Sequence, residues 1–576
     1  MPELGILGHN VMLDLDSSGN LSWSGATKRI CWGVGADDRW HFSQERSSIR
    51  QSVDSNEITT VTRMRVPGGD ITQRVEVIPW EGQSVTKIEF YNETPIPVAI
   101  SIMLLNFGPI EINSTTISSN EKPIIISSKS PRISTSGSGY ENLTDEITNA
   151  EIRDLRTIAS SIGNANSDSA LIFPLPHSTK LELVINNHDL DHLPALELTP
   201  SFDEISNGWQ KHFESGMEIQ TDDNRFASVL NTARRHLLIG SDQDVTSPFW
   251  KVNSDEPVVP LTVLALLAWG HIDSAKKLIF KYMESMPSNL FKNSVSKEAL
   301  HALCLWQKYI EFCTKKEEVE DIIPWINETV RQLLASLPGK RRLKKRDYTL
   351  EIVSLRAAIE IFKSVQRESL ALELQNQLVK IEEAAGSQES PSPFEKYTNS
   401  YQTIIEILGE YLQIQQSSLT LDQILSKTEP TGSIIAGSRQ QDPVFSALFL
   451  LAIRAGYIQE NKLPSGEKQI EIAPSYNRDW IGVGIQIRNA PISSGNIGYA
   501  IRWHGTSPAL LWEADTPQRI KVNAWSLDKS WFSTEHIGET LLSKQFPKET
   551  AVSIHAETSP LRNRLKPESE DGGTFQ

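Results

Sequence analysis

The sequence predicts a multidomain chain of mixed class, with a large antiparallel β domain, a long run of paired helices, and a smaller β domain at the end. Three observations carry this. Apolar residues alternate with period two up to about residue 210, follow a helical period from about 211 to 460, and return to period two afterwards. At 576 residues the chain exceeds what one hydrophobic core supports, and about 100 to 200 residues per domain implies three or four units. Residues 1–210, 211–460 and 461–543 are the expected domains, and the polar segment 544–576 with its Gly-Gly is expected to be a disordered tail.

In the first domain, VMLDLDSSGNLSW places two short alternating arms around an SSGN turn, the pattern of a hairpin. TQRVEVIPW, VTKIEFYN and VAISIMLLNF follow, and TKLELVI sets Leu181, Leu183 and Ile185 on one face against Lys180 and Glu182 on the other. SSKSPRISTSGSG and SSIGNANSDS are small and polar, and read as mobile loops.

The helical run opens with DDNRFASVLNTARRHLLIG, which begins at capping carboxylates, carries Phe226, Val229, Leu230, Ala233 and Leu237 on one face, and stops at Gly240. VVPLTVLALLAWG is apolar on nearly every side, as a helix buried all round must be, and pairs with IDSAKKLIFKYMESM across His271. KEALHALCLWQKYIEFC with VEDIIPWINETVRQLLASL, and TLEIVSLRAAIEIFKSV with ESLALELQNQLVKIEEAA, continue the pairing, and the count approaches six hairpins. KQIEIAP, WIGVGIQIRN, NIGYAIRWHG, PALLWEAD and QRIKVNAW then supply the strands of the last domain.

Composition bounds the function. A net charge of −16 argues against a general nucleic-acid binder, which needs a basic face. The run Lys340 to Arg346 is the local exception, suited to a phosphorylated ligand or to a solvated loop between helices. No apolar stretch reaches the roughly 18 residues of a membrane span. The start of the sequence does not read as a secretory signal, so a cytoplasmic location is expected. Cys31, Cys304 and Cys313 are too few and scattered for a disulfide framework or zinc cage, and read as small buried hydrophobes.

The order of motifs narrows the class. GSRQQDPVFSALFLLAIRAG, then IEIAPSYNRDWIGVGIQI, then YAIRWHGTSPALLWE resemble the last barrel helix and closing sandwich of bacterial glucoamylase-like proteins. ELGILGHNVMLDLDSSGNLSW resembles the opening hairpin of such proteins, and LIFPLPHSTKLEL a late strand of the same sandwich. The chain thus resembles the six-hairpin glycosidase superfamily over most of its length. That resemblance implies an N-terminal β super-sandwich, an (α/α)6 barrel of helical hairpins and a small C-terminal β-sandwich, with a carbohydrate substrate. It also implies a site in the loops before the inner helices, where two carboxyl groups face each other across the sugar; inversion needs them about 6.5 to 9.5 Å apart.

Four segments fit that search. In SPFWKVNSDEPVVPL, Phe249 and Trp250 precede Asp255 and Glu256; the resemblance makes Asp255 a catalytic or sugar-binding carboxylate and the others substrate-binding, while the helix dipole alone also favours such acids. In LFKNSVSKEALHALCLW, Glu298 stands where relatives carry an acid with Asn-Gly, a departure from the pattern, and a Ser296-capped first turn equally welcomes a glutamate. In KKRDYTLEIVSLRAAIEIF, Asp347, Tyr348 and Glu351 stand closest to the aromatic and paired acids of relatives, with Asp347 equally a helix cap. Asp442, followed by Pro443, reads as the cap of the last inner helix.

The sequence carries no metal-ligand spacing, phosphate loop or nucleophile elbow, so neither metal nor cofactor is expected. Fourteen tryptophans suit a carbohydrate site, although large sandwich cores also use them. The readings are a glycoside hydrolase, inverting and acting on an oligosaccharide or α-glucoside; a catalytically degenerate relative with a sugar-binding or scaffolding role; and, as a lesser alternative, a phosphorylase. RWHGTSPALLWE, chemically the richest stretch, reads as a strand-turn-strand in which Arg502 and Glu513 can pair, a marker of the fold and not a catalytic segment.

Overall fold

The computed structural model describes residues 3–23, 27–44, 48–53, 58–149, 168–252, 256–286, 295–313, 316–336, 349–385, 394–398, 400–414, 420–433, 442–462, 468–476, 482–493, 495–505 and 507–543. The basic run 340–346 and the segment 544–576 therefore lie outside the described residues.

Two antiparallel sheets form the N-terminal part. The first contains β1 (Glu3–Leu4), β2 (Leu13–Leu15), β3 (Leu21–Trp23), β4 (Arg29–Ala36) and β5 (Arg39–Phe42). The second begins with β6 (Ile49–Val53), β7 (Thr60–Val66), β8 (Gly69–Trp80) and β9 (Gln83–Asn92). The chain then returns to the first sheet with β10 (Val98–Leu105), adds β11 (Ile110–Asn113), β12 (Thr116–Ser119) and β13 (Lys122–Ser127) to the second, and β14 (Ile133–Gly137) to the first. Helix α1 (Gly139–Asn149) precedes β15 (Asp168–Leu175) in the first sheet and β16 (Lys180–Asn186) in the second. Spatial order is β1-β2-β3-β4-β10-β15-β14, with β5 on β4, and β11-β12-β13-β16-β9-β8-β7-β6.

The SSGN hairpin forms as its pattern predicts, with Leu13 opposite Trp23 and Leu15 opposite Leu21. Asp16 accepts the backbone N–H groups of Ser18 and Asn20, and Gly19 takes φ +78°, where an added Cβ would meet Gln73 Oε1 at 2.2 Å. Leu181, Leu183 and Ile185 all face the core, where Trp32 of one sheet meets Phe90 of the other at 5.3 Å. One expectation fails. SSKSPRISTSGSG is not a loop throughout, because β14 lies within it and pairs with β15; a free sheet edge recruits any backbone that supplies its hydrogen bonds, whatever the side chains. Most of SSIGNANSDS falls outside the described residues.

The helical part comprises α2 (Phe202–Glu214), α3 (Asn224–Ser241), α4 (Val258–Ala268), α5 (Ile272–Glu284), α6 (Lys297–Phe312), α7 (Ile323–Ser336), α8 (Thr349–Ser364), α9 (Glu368–Ala385), α10 (Tyr401–Tyr411), α11 (Leu421–Leu425) and α12 (Pro443–Tyr457). Every residue of α4 from Val259 to Leu267 is buried, as its unbroken apolar sequence requires. The turn Trp269–His271 reverses α4 into α5, and Ser354 Oγ donates to Leu300 O at 3.1 Å, tying α8 to α6. The run closes on itself, since Phe226 of α3 meets Phe449 of α12 at 6.4 Å and Trp269 Nε1 donates to Leu450 O at 2.8 Å. The β domain is anchored to α3 by a buried bidentate ion pair, with Arg235 Nη1 and Nη2 donating to Glu76 Oε1 and Oε2 at 3.0 and 2.5 Å.

Contacts divide the chain into two units, Met1–Met217 with Asp223–Arg454, and Glu218–Asp222 with the chain from Ala455 onward. In the second unit, β17 (Glu218–Gln220), β18 (Ile458–Lys462), β19 (Lys468–Ile472), β20 (Ile485–Ile492), β21 (Gly495–His504), β22 (Ser507–Asp515), β23 (Ile520–Ala524), β24 (Asp528–Ser533) and β25 (Ile537–Leu541) form two sheets. Their orders are β17-β20-β21-β22-β25 and β18-β19-β23-β24. Trp512 of one sheet packs edge-on against Trp531 of the other at 5.1 Å, and Trp503 Nε1 donates to Tyr476 Oη at 3.3 Å. Arg502 and Glu513 do not pair. The register sets Arg502 opposite Ala509 and Glu513 opposite Gly498, four residues apart and about 13 Å along the strand.

Among the described residues, no helix is long and apolar enough to cross a membrane, and no group of three or more His, Cys, Asp or Glu is placed to hold a metal. Cys31 and Cys304 are buried, and burial pushes their thiols up to about 12 and about 11.

Candidate functional site

The sequence directs attention to the segments that enter α4, α6 and α8. Asp255, Asp347 and Tyr348 lie outside the described residues. Phe249 and Trp250 form a short 3-10 turn after α3 and are 3% and 7% exposed. Their rings meet edge to face at 4.6 Å, and Phe249 also packs on His236 at 4.9 Å. Gly240 makes room for this, since a Cβ there would come within 2.4 Å of the Phe249 ring. Both aromatics are therefore wall residues whose faces are largely occupied. The buried Trp250 Nε1 has no hydrogen-bond partner among the described residues.

Glu256 stands just before α4 and does what its sequence position alone did not foretell. Its carboxylate accepts from Tyr397 Oη, and Lys396 Nζ lies 3.3 Å from each of its oxygens. Both partners come from a short turn, Glu395–Tyr397, that precedes α10. Burial first, then the hydrogen bond and charge of Glu256, push the Tyr397 phenol above its ordinary range, so it stays a donor. Lys396 also lies over the Tyr397 ring at 4.5 Å.

The same turn reaches α6. Phe394 packs against the buried His301 at 5.4 Å. Burial, and secondarily Lys297, lower His301 to about 4, with Glu298 opposing. Its imidazole is neutral near pH 7. Glu298 lies three residues earlier in the first turn of α6 and is exposed, while Ser296 caps that helix by accepting from Ala299 N at 3.1 Å. Its charge also reaches Tyr282 of α5, whose phenol is raised by burial and by Glu298. Glu351 is half-buried in the first turn of α8. Asp442 caps α12 as expected, accepting from Val444 N at 2.7 Å and from Tyr411 Oη at 2.7 Å.

Contacts thus join Glu256 to Lys396 and Tyr397, and Phe394 to His301, at the entries of three helices, and Glu298 lies one turn before His301. Glu256 and Glu298 were found by looking for acids before buried helices. The other four were missed, although PSPFEKYTNSYQTIIEILGE meets the same criterion, with aromatics and an acid ahead of an amphipathic helix. His301 gave no such signal, being one histidine in an apolar helix face.

A second constellation looks chemical and is not. His236 Nδ1 lies 3.0 Å from Ser446 Oγ, and its Nε2 lies 2.9 Å from Glu3 Oε2. Ser446 and His236 are each 1% exposed, so the three form a buried strut between β1, α3 and α12 that no substrate reaches.

A two-sheet β domain, a run of helical hairpins and a second β unit thus follow one another along the chain, in the order the sequence predicts. Among solved structures, the chain is similar to a bacterial glucoamylase complexed with acarbose, at 11% identity and TM-score 0.43, covering 69% of this chain and 67% of that one. It is similar to a GH78 family rhamnosidase of Bacillus sp. GL1 at 10% identity and TM-score 0.34, covering 78% of this chain and 54% of that one. An α-L-rhamnosidase from Aspergillus terreus matches at 10% identity and TM-score 0.33, over 93% of this chain and 73% of that one. No sequence-family model matches the chain, and no curated protein does. These likenesses concern fold and transfer no residue roles.

Proposed function

We propose that this chain is a carbohydrate-active protein of glycoside-hydrolase type, acting on an oligosaccharide or α-glucoside at the Glu256 cluster. The observation that carries the proposal is the Glu256 carboxylate, fixed at the entry of the buried helix α4 by Tyr397 and Lys396 from another hairpin. A carboxylate held in one rotamer by groups on a separate element is preorganised, which is what transition-state stabilisation requires. In this reading Glu256 activates water or binds a sugar hydroxyl. Glu298 is the proton donor, with Asp255, Asp347 and Glu351 as the alternative carboxylates that the resemblance implies. Inversion is the expected outcome. A cytoplasmic location belongs to the same proposal and rests on the few, free cysteines.

A second reading is sugar binding without catalysis. It is favoured by Glu298, which is exposed in a Ser296-capped first turn, a place where helix stability alone explains a glutamate.

Both readings are tested on the purified protein with a panel of aryl glycosides and oligosaccharides, with and without phosphate, alongside calorimetric sugar binding. Turnover abolished in Glu256→Gln and reduced in Glu298→Gln supports hydrolysis. Sugar binding that Glu256→Gln weakens, without turnover, supports the second reading, and phosphate-dependent turnover identifies a phosphorylase. Activity or binding unchanged in Asp255→Asn, Glu256→Gln and Glu298→Gln overturns the site.

A further inference from the structure

A cavity of about 610 Å3 lies at the seam between the β domain and the start of α3, lined by strands β6 and β7, the first turns of α3 and the turn after α11. Two guanidinium groups converge on it. Arg63 Nη1 donates to Ser52 Oγ at 3.1 Å, and Arg225 Nη2 donates to Thr428 O at 3.4 Å. Each arginine is thus oriented by a neutral oxygen, and neither has an ion-pair partner among the described residues. Glu429 also lines the cavity, so two positive groups face one negative group.

The walls are fixed. Val53 N donates to Pro430 O at 3.4 Å, and Thr232 Oγ1 donates to Thr431 O at 3.0 Å, so the turn is stitched to both the β domain and α3. Gly432, at φ +74°, lets that turn close, since a Cβ there would stand 2.6 Å from Ser228 O. An arginine's planar fork matches the oxygens of phosphate or carboxylate.

We propose that this cavity binds a small oxyanion, a phosphate group either free or esterified to a sugar. It is separate from the Glu256 cluster. Arg225 sits at the start of α3 and Phe249 follows its end, and the 18 residues of α3 span about 27 Å. An anion seated here touches both the β domain and the helices, so it stabilises their packing.

Isothermal titration of the full chain with inorganic phosphate and with a hexose phosphate, at constant ionic strength in chloride, tests the site. Saturable binding of one equivalent is expected, weakened about tenfold or more by Arg63→Gln and by Arg225→Gln. Glu429→Gln, which removes the opposing charge, is expected to tighten binding several-fold, a gain that a misfolded variant does not produce. Tighter binding of the hexose phosphate identifies the ester as the occupant; equal affinities identify the phosphate group alone. The proposal is overturned if neither probe saturates below about 10 mM, or if the double arginine variant binds as the wild type does.

Discussion

Tyr397 donates a hydrogen bond to the carboxylate of Glu256, joining two helix entries that lie 141 positions apart in the chain. The phenol ring is 1% exposed, so phenylalanine fills the same space and only the hydroxyl is lost. Tyr397→Phe is expected to lower stability by about 1 to 2 kcal/mol, read from the denaturant midpoint. Sugar turnover or binding should fall about tenfold as Glu256 loses its fixed rotamer. A stability loss with sugar handling intact would place the working carboxylate elsewhere.

The ion pair between Glu76 and Arg235 is almost fully buried, with side chains 1% and 7% exposed. Removing one partner strands the other's charge in the interior, so Glu76→Gln is expected to cost about 3 to 5 kcal/mol in chemical unfolding. Replacing both, as in Glu76→Leu with Arg235→Met, should recover most of that loss. The Arg235 side chain lies over the Trp209 ring at 4.9 Å, and methionine keeps an apolar contact there.

Two buried histidines predict an acid limit. Burial, then the nearby Arg234, lower His271 to about 3, and burial, then Lys297, lower His301 to about 4. Because both folded values lie below the ordinary 6.5, the unfolded chain takes up protons first as pH falls. Their contribution is therefore complete above pH 6.5 and is lost progressively toward pH 3 for His271 and toward pH 4 for His301, by about 3 kcal/mol for His301 over its window. Melting temperatures from pH 7.5 to 4.5 should fall less steeply in His301→Gln. An unchanged slope would mean that His301 does not govern the acid limb.

Gly240 opposes two effects in one position. Alanine is favoured over glycine in a helix by about 1 kcal/mol, yet its Cβ would sit 2.4 Å from the Phe249 ring. Overpacking costs about 1 to 3 kcal/mol, so Gly240→Ala is expected to be net destabilising and to alter Trp250 fluorescence. A more stable variant would show that the ring moves freely.

Much of the architecture is legible in local sequence. The SSGN hairpin, the alternating Leu181, Leu183 and Ile185, and the wholly buried α4 are each written within a few neighbouring residues. The same locality identified Glu256 and Glu298, because acids ahead of apolar helices need only a short window. It could not pair Glu256 with Tyr397, nor set His301 against Phe394, since those partners come from other hairpins.

Local sequence also misread two features that depend on neighbours far along the chain. Arg502 and Glu513 suit an ion pair by type, and register, which the whole sheet fixes, holds them four positions apart. The polar residues of β14 suit a loop by composition, and the open edge of β15 makes them a strand. Periodicity thus determined by itself where most strands and helices run and which faces they bury, because those preferences act between adjacent residues. Tertiary structure decided which charges meet, since desolvation and hydrogen bonding depend on groups that folding alone brings together.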